Sequence, residues 1–175
     1  MCDNFLLQQE LYDAAKNWLA MDGLWFQGIE QSYGMNAALE MDKKVWEQFS
    51  VIEAERIKKR LSLPERGGLD ALEIALNNRL YHLLNDQEIR RPDTTTLFFT
   101  MKTCRVQAAR ERKGMQLFPC KTIGLGEYSV FAKTIDPRIK TECVSCPPQP
   151  VQKMRYCAWK FVLGTPDTDN YGPGH

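Results

Sequence analysis

The apolar residues of this chain follow a helical period as far as Asn85 and lose it beyond that point. A period of 3.6 makes one-sided helices, and a Thr- and Phe-rich texture favours strands. In residues 5–33, Tyr12, Ala15, Leu19, Phe26, Ile29 and Tyr33 recur at three- and four-residue steps or their multiples. Gly23 marks a place for this helix to bend or split, Gly34 fits its stop, and Asn36 fits the next N-cap. A second helix is expected over 37–61, with Met41, Val45, Phe49 and Ile52 on one face, Trp46 and Ile57 on its flank, and Lys58-Lys59-Arg60 at its carbonyl end. A third is expected over 69–84, with Leu72, Leu76, Leu80 and Leu83 on one side.

Past Asn85 the elements shorten. Arg90-Arg91-Pro92-Asp93 reads as a loop and 94–103 as a strand. Short helices follow over 105–113, ended by Gly114, and over 126–135, ended at Asp136-Pro137. Segments 138–144 and 154–163 read as an antiparallel hairpin, with the stiff Pro147-Pro148-Gln149-Pro150 between them. The expectation is an α+β fold, N-terminal helices packed on a small antiparallel sheet in the C-terminal half. It forms one domain over 1–164, helical in 1–86 and cysteine-rich in 87–164, with a flexible polar tail at 165–175.

Charge divides at the same place. Residues 1–87 hold 9 Lys+Arg against 14 Asp+Glu, and residues 88–175 hold 14 against 8. The net charge of +1 implies no polyelectrolyte grip on nucleic acid. No apolar run approaches the ~18 residues of a membrane span, and Met-Cys-Asp-Asn has no basic region or cleavage site, so the expected location is cytoplasmic.

Five of the six cysteines lie in the second half: Cys104, Cys120, Cys143, Cys146 and Cys157. Cys143-Val144-Ser145-Cys146 is a CxxC, whose two-residue spacing lets two thiolates converge on one tetrahedral ion. Cys120, Cys143, Cys146 and Cys157 are the candidate ligands for zinc or another thiolate-bound metal. Two other readings stand beside it: a redox dithiol, or small buried apolar residues in a reducing compartment.

Between Lys102 and Lys121 there are six basic residues and one acid. Cys104, Gln107 and Arg110 sit at three-residue steps, a ridge on which a guanidinium fork and an amide suit a small carboxylate. The alternative is a solvated basic face with Arg110 paired to a front-half acid. Asp22 and Glu53 interrupt apolar stripes. If they approach each other they form an acid–base pair, with one pKa raised. Otherwise Glu53 pairs with Arg56, and Asp22 caps a helix broken at Gly23.

Several strings carry a likeness: Asp22-Gly23-Leu24-Trp25-Phe26, Ile52 to Lys59, Cys104-Arg105-Val106-Gln107-Ala108-Ala109-Arg110, Phe118-Pro119-Cys120-Lys121, Phe131 to Ile139, Cys143-Val144-Ser145-Cys146-Pro147-Pro148 and Tyr156-Cys157-Ala158-Trp159. Over roughly residues 10–163 the chain resembles a bacterial and archaeal cytosolic domain-of-unknown-function family. It is distantly similar to the L-2-amino-thiazoline-4-carboxylic acid hydrolase-like proteins, through Cys104 at a helix start and Cys157 before an aromatic strand. The Cys143/Cys146 pair stands outside that hydrolase pattern. The thiol-rich half is also faintly similar to 4-vinyl reductase domains, which bind small ligands. The resemblance implies a hydrolase-like enzyme acting on a small anionic molecule. In that reading Cys104, Gln107 and Arg110 contact the substrate, Cys120, Cys143, Cys146 and Cys157 hold a metal whose bound water attacks, and Asp22 and Glu53 are the candidate acid and base. Two alternatives are a non-catalytic ligand-binding or sensor module with a structural thiolate-bound metal, and a protein that only binds partners.

Overall fold

The computed structural model describes residues 4–147 and 156–164. The expected turn from Pro148 onward, the start of the expected last strand (154–155), the tail 165–175 and Cys2 lie outside the described residues. Two long helices open the chain, α1 (Asn4–Tyr33) and α2 (Met35–Leu61). Gly34 alone joins them, at φ 85, a left-handed value that a side chain would resist. α1 runs unbroken through Gly23, so Asp22 caps nothing there. α2 ends on Ser62 in the left-handed conformation (φ 51), where the amides of Ser62 and Leu63 close back on the carbonyls of Lys59 and Lys58.

The expected third helix is two: α3 (Gly68–Leu76) and α4 (Leu80–Leu84). The break falls at Asn77-Asn78-Arg79, where Arg79 is extended and its side chain enters the core. Then come β1 (Gln87–Arg90), β2 (Thr96–Met101), α5 (Arg105–Arg112), α6 (Lys121–Ile135), β3 (Ile139–Ser145) and β4 (Cys157–Leu163). The four strands form one antiparallel sheet in the order β1-β2-β4-β3. β3 and β4 are the expected hairpin partners, and β1 falls where only the approach to a loop was expected.

The core lies where α3 and α6 meet the sheet. Leu69, Leu72 and Leu76 from α3 and Tyr128, Phe131 and Ile135 from α6 pack with Leu97, Phe99, Trp159 and Phe161 of the strands. Asp136 ties this layer together. It is fully buried, accepts the Gly68 amide at 2.9 Å and is gripped by Arg138, whose hydrogen bonds hold its carboxyl down to about 2. α1 stands outside this layer, with only Ala15 fully buried. Its Trp18 joins Trp46, Phe49 and Tyr81 in an aromatic cluster linking α1, α2 and α4. Among the described residues, no helix is long and apolar enough to cross a membrane.

Candidate functional site

Where the α1–α2 hairpin meets α5, α6 and the ends of β2 and β4, a half-open cavity of about 810 Å³ lies between them. A space of this size fits a small organic molecule. Asp22 on α1, Asp42 on α2 and Glu127 on α6 line it, as do Cys104, Cys120, Cys146 and Cys157. Gln107 and Arg110 of α5 complete the wall. Of the sequence-derived candidates, the cavity therefore gathers Asp22, Cys104, Gln107, Arg110, Cys120, Cys146 and Cys157. Glu53 and Cys143 stand outside its lining.

Cys120 owes its position to α6 and to Gln107. It is the residue from which α6 departs, and its carbonyl accepts the Gly124 amide at 2.7 Å. The Gln107 amide group grips the backbone of Phe118 in both directions, donating to its carbonyl (2.8 Å) and accepting from its N–H (2.9 Å). The same Nε2 lies 3.6 Å from Cys120 Sγ, and Cys146 Sγ lies 3.2 Å from it on the other side. Cys146 is fully buried, and its thiol also meets the side chains of Cys143 and Cys157. The hydrogen bond from Cys146, then that from Gln107, hold the Cys120 thiol below the ordinary thiol range, against the opposing effect of burial. Cys146 is correspondingly pushed up, chiefly by that same bond. Burial raises Cys104 to about 12 and also raises Cys143.

Arg110 is engaged. Its guanidinium makes two parallel bonds to Glu30 of α1, at 2.9 and 3.0 Å, and its Nε donates to the Gln116 carbonyl at 2.7 Å. Its hydrogen bond holds the Glu30 carboxyl down. The exposed neighbours on α5 are differently placed. Arg105 donates to the Leu84 carbonyl and to Tyr12 Oη, and Lys113 to Gln27 Oε1. These partners are neutral, so Arg105 and Lys113 bring positive charge to the outer edge of the cavity wall, beside Arg112.

Glu53 does not take Arg56. Its partner is Arg79 at 2.8 Å, and Arg79 also reaches Glu127 Oε1 at 2.7 Å. One buried guanidinium thus sits between acids of α2 and α6, over the Phe131 ring at 4.6 Å. Nor is Glu53 the acid that faces Asp22: Asp42 and Glu127 share the cavity wall with it. Burial raises Asp22 to about 6. Burial, reinforced by the Asp22 and Glu127 charges, raises Asp42 to about 7. Burial raises Glu127 to about 7 against the pull of Arg79. Three carboxyls near neutrality can hold or release a proton at physiological pH. Trp159, only 1% exposed, is also part of the wall, and its indole Nε1 has no hydrogen-bond partner.

Asp42, Arg79, Glu127 and Trp159 did not emerge from the sequence reading. Asp42 lies one turn before Trp46 on α2, and the sequence reading did not single it out. Glu127 lies on a helix whose first turn, with Gly124 and Gly126, does not read as helical. Those glycines let neighbours approach. A Cβ at Gly124 would meet Trp159 at 2.7 Å, and one at Gly126 would meet Glu47 at 3.2 Å. Among the described residues, no group of three or more His, Cys, Asp or Glu is arranged to hold a metal ion. Cys146 Sγ lies 3.2 Å from Cys120 Sγ and also bonds to the side chains of Cys143 and Cys157.

A family model matches residues 4–163, which takes in every element described above. The chain belongs to the family of unknown function DUF6125. No curated protein matches it.

Proposed function

We propose that this DUF6125 chain is a hydrolase-like enzyme that admits a small anionic molecule to the cavity and attacks it with Cys120. The observation that carries the reading is the setting of Cys120 Sγ. It sits at the start of a fifteen-residue helix, 3.2 Å from the Cys146 sulfur and 3.6 Å from the Gln107 amide donor, on the wall of a half-open cavity. The hydrogen bonds at this sulfur and the positive end of the helix dipole favour thiolate, the nucleophilic form of cysteine. The basic edge formed by Arg105, Arg112 and Lys113 favours entry of an anion. The resemblance to the amino-thiazoline carboxylic acid hydrolase-like proteins points to the same class of chemistry.

In this reading the Cys120 thiolate adds to an electrophilic carbonyl or ring carbon and the bond to the leaving heteroatom breaks. The leaving atom takes a proton from one of the carboxyls on the wall, Asp22, Asp42 or Glu127. Water then adds to the acyl carbon, freeing the product acid and restoring the thiol. Gln107 is a positioning residue, since it holds the Phe118–Cys120 turn.

The test is hydrolysis of a small carboxylate-bearing thioester by the purified full chain, before and after treatment with a metal chelator. Wild type should turn over under both conditions. Cys120→Ser, shown to be folded by near-ultraviolet circular dichroism, should lose at least ~100-fold, as expected when a covalent nucleophile is removed. Activity that survives in Cys120→Ser overturns the proposal. Activity that disappears with zinc or iron removed from wild type overturns it in favour of a metal-bound water.

A further inference from the structure

Cys120 and Cys146 are far apart in sequence and meet through the backbone. The Lys121 amide donates to the Pro147 carbonyl at 3.2 Å, so the residues preceding each lie side by side and their sulfurs approach to 3.2 Å. A disulfide needs ~2.05 Å between sulfurs, about 1 Å closer than they stand here. Accessibility is asymmetric. Both line the cavity, but Cys120 is half-buried whereas Cys146 has no exposed surface. One exposed thiol backed by one protected thiol is the arrangement an attacking and a resolving cysteine require.

We propose that Cys120 and Cys146 form a redox-active dithiol that exchanges with small organic disulfides entering the cavity. The Cys120 thiolate attacks one sulfur of R–S–S–R. That S–S bond breaks, a Cys120–S–S–R bond forms, and the first RS⁻ leaves. Cys146 gives its proton to this departing thiolate and then attacks Cys120 Sγ, expelling the second R group as RS⁻, which takes a proton from water. Two protein thiols are oxidised to one disulfide and R–S–S–R is reduced to two RSH. The inference rests on the reading of Cys120 as a nucleophile but needs no hydrolysis. It also makes the oxidised chain unable to attack a carbonyl, because the nucleophilic sulfur is bonded.

The experiment treats the reduced full chain with oxidised glutathione and follows intact mass and cysteine-containing peptides. The expected product lacks two hydrogens and carries a Cys120–Cys146 cross-link. Cys146→Ser should stop at a stable glutathione adduct on Cys120, and Cys143→Ser should still close the Cys120–Cys146 bond. A Cys143–Cys146 cross-link in wild type overturns the proposal, as does a lasting glutathione adduct on wild-type Cys120 or no reaction at Cys120. A chain that forms the cross-link but hydrolyses no thioester keeps this inference and loses the hydrolase reading, so the two failures are separable.

Discussion

Asp42 shows what a cavity does to a single side chain. Its carboxyl titrates near 7 because burial and the facing acids Asp22 and Glu127 penalise its charge. The folded chain holds that proton more tightly than the unfolded chain, whose Asp titrates near 3.8. The stabilisation this gives is therefore complete below pH ~4 and lost as pH rises through about 7. Asp22 and Glu127 act in the same direction, through about 6 and about 7. Asp42→Asn should flatten the fall in melting temperature between pH 4 and 7, and thermal denaturation across that range measures it. An unchanged pH profile would show that Asp42 does not titrate in this window. The sequence revealed Asp22, because an acid breaking an apolar stripe is visible in one dimension. Asp42 and Glu127 were hidden because their burial comes from helices that meet only in three dimensions. Glu53 was legible as an inward acid, but its cation was not: Arg79 lies 26 residues away, across a helix break.

α6 is the element that organises both the core and the site. It carries Glu127 and Tyr128 into the middle of the molecule and begins at Cys120. Gly124 lets it lie against β4: a Cβ there would meet the Trp159 ring at 2.7 Å, with the ring fixed between Tyr128 and the sheet. Gly124→Ala should destabilise the fold by about 1–3 kcal/mol, the usual cost of overpacking a tight interior, despite the better helix propensity of Ala. Urea denaturation followed by tryptophan fluorescence checks this, and a stabilised variant would contradict the close packing. The same glycines explain the misread start of α6. Propensity places it at 126, whereas tertiary packing extends it back to Lys121. The long helices and the β3–β4 hairpin were legible because period and punctuation agree there. β1 was not, since four residues are too few to show a period. The α3–α4 break was hidden by an unbroken leucine stripe, and it carries Arg79 to Glu53 and Glu127.

At the scale of the whole molecule, an acidic helical hairpin faces a basic, thiol-rich half, and the cavity lies at their junction. The charge split in the sequence is thus a contact between two faces, with Glu30–Arg110 as one of its ties. Seven of the candidate residues singled out in the sequence line the cavity, and Glu53 and Cys143 do not. The CxxC places Cys143 beside Cys146, and the turn held by Gln107 brings Cys120 to Cys146 as well. No local spacing encodes that meeting, because it depends on where α6 starts. The account therefore turns on one sulfur atom. Alkylation of the native, reduced chain by iodoacetamide, read cysteine by cysteine through peptide mapping from pH 5 to 10, measures its state directly. Cys120 should react at least ~10-fold faster than Cys143 at neutral pH, with an inflection below the ordinary thiol value of 9.0, as a hydrogen-bonded thiolate does. A Cys120 that reacts no faster than Cys143, or that titrates at or above 9.0, would contradict it.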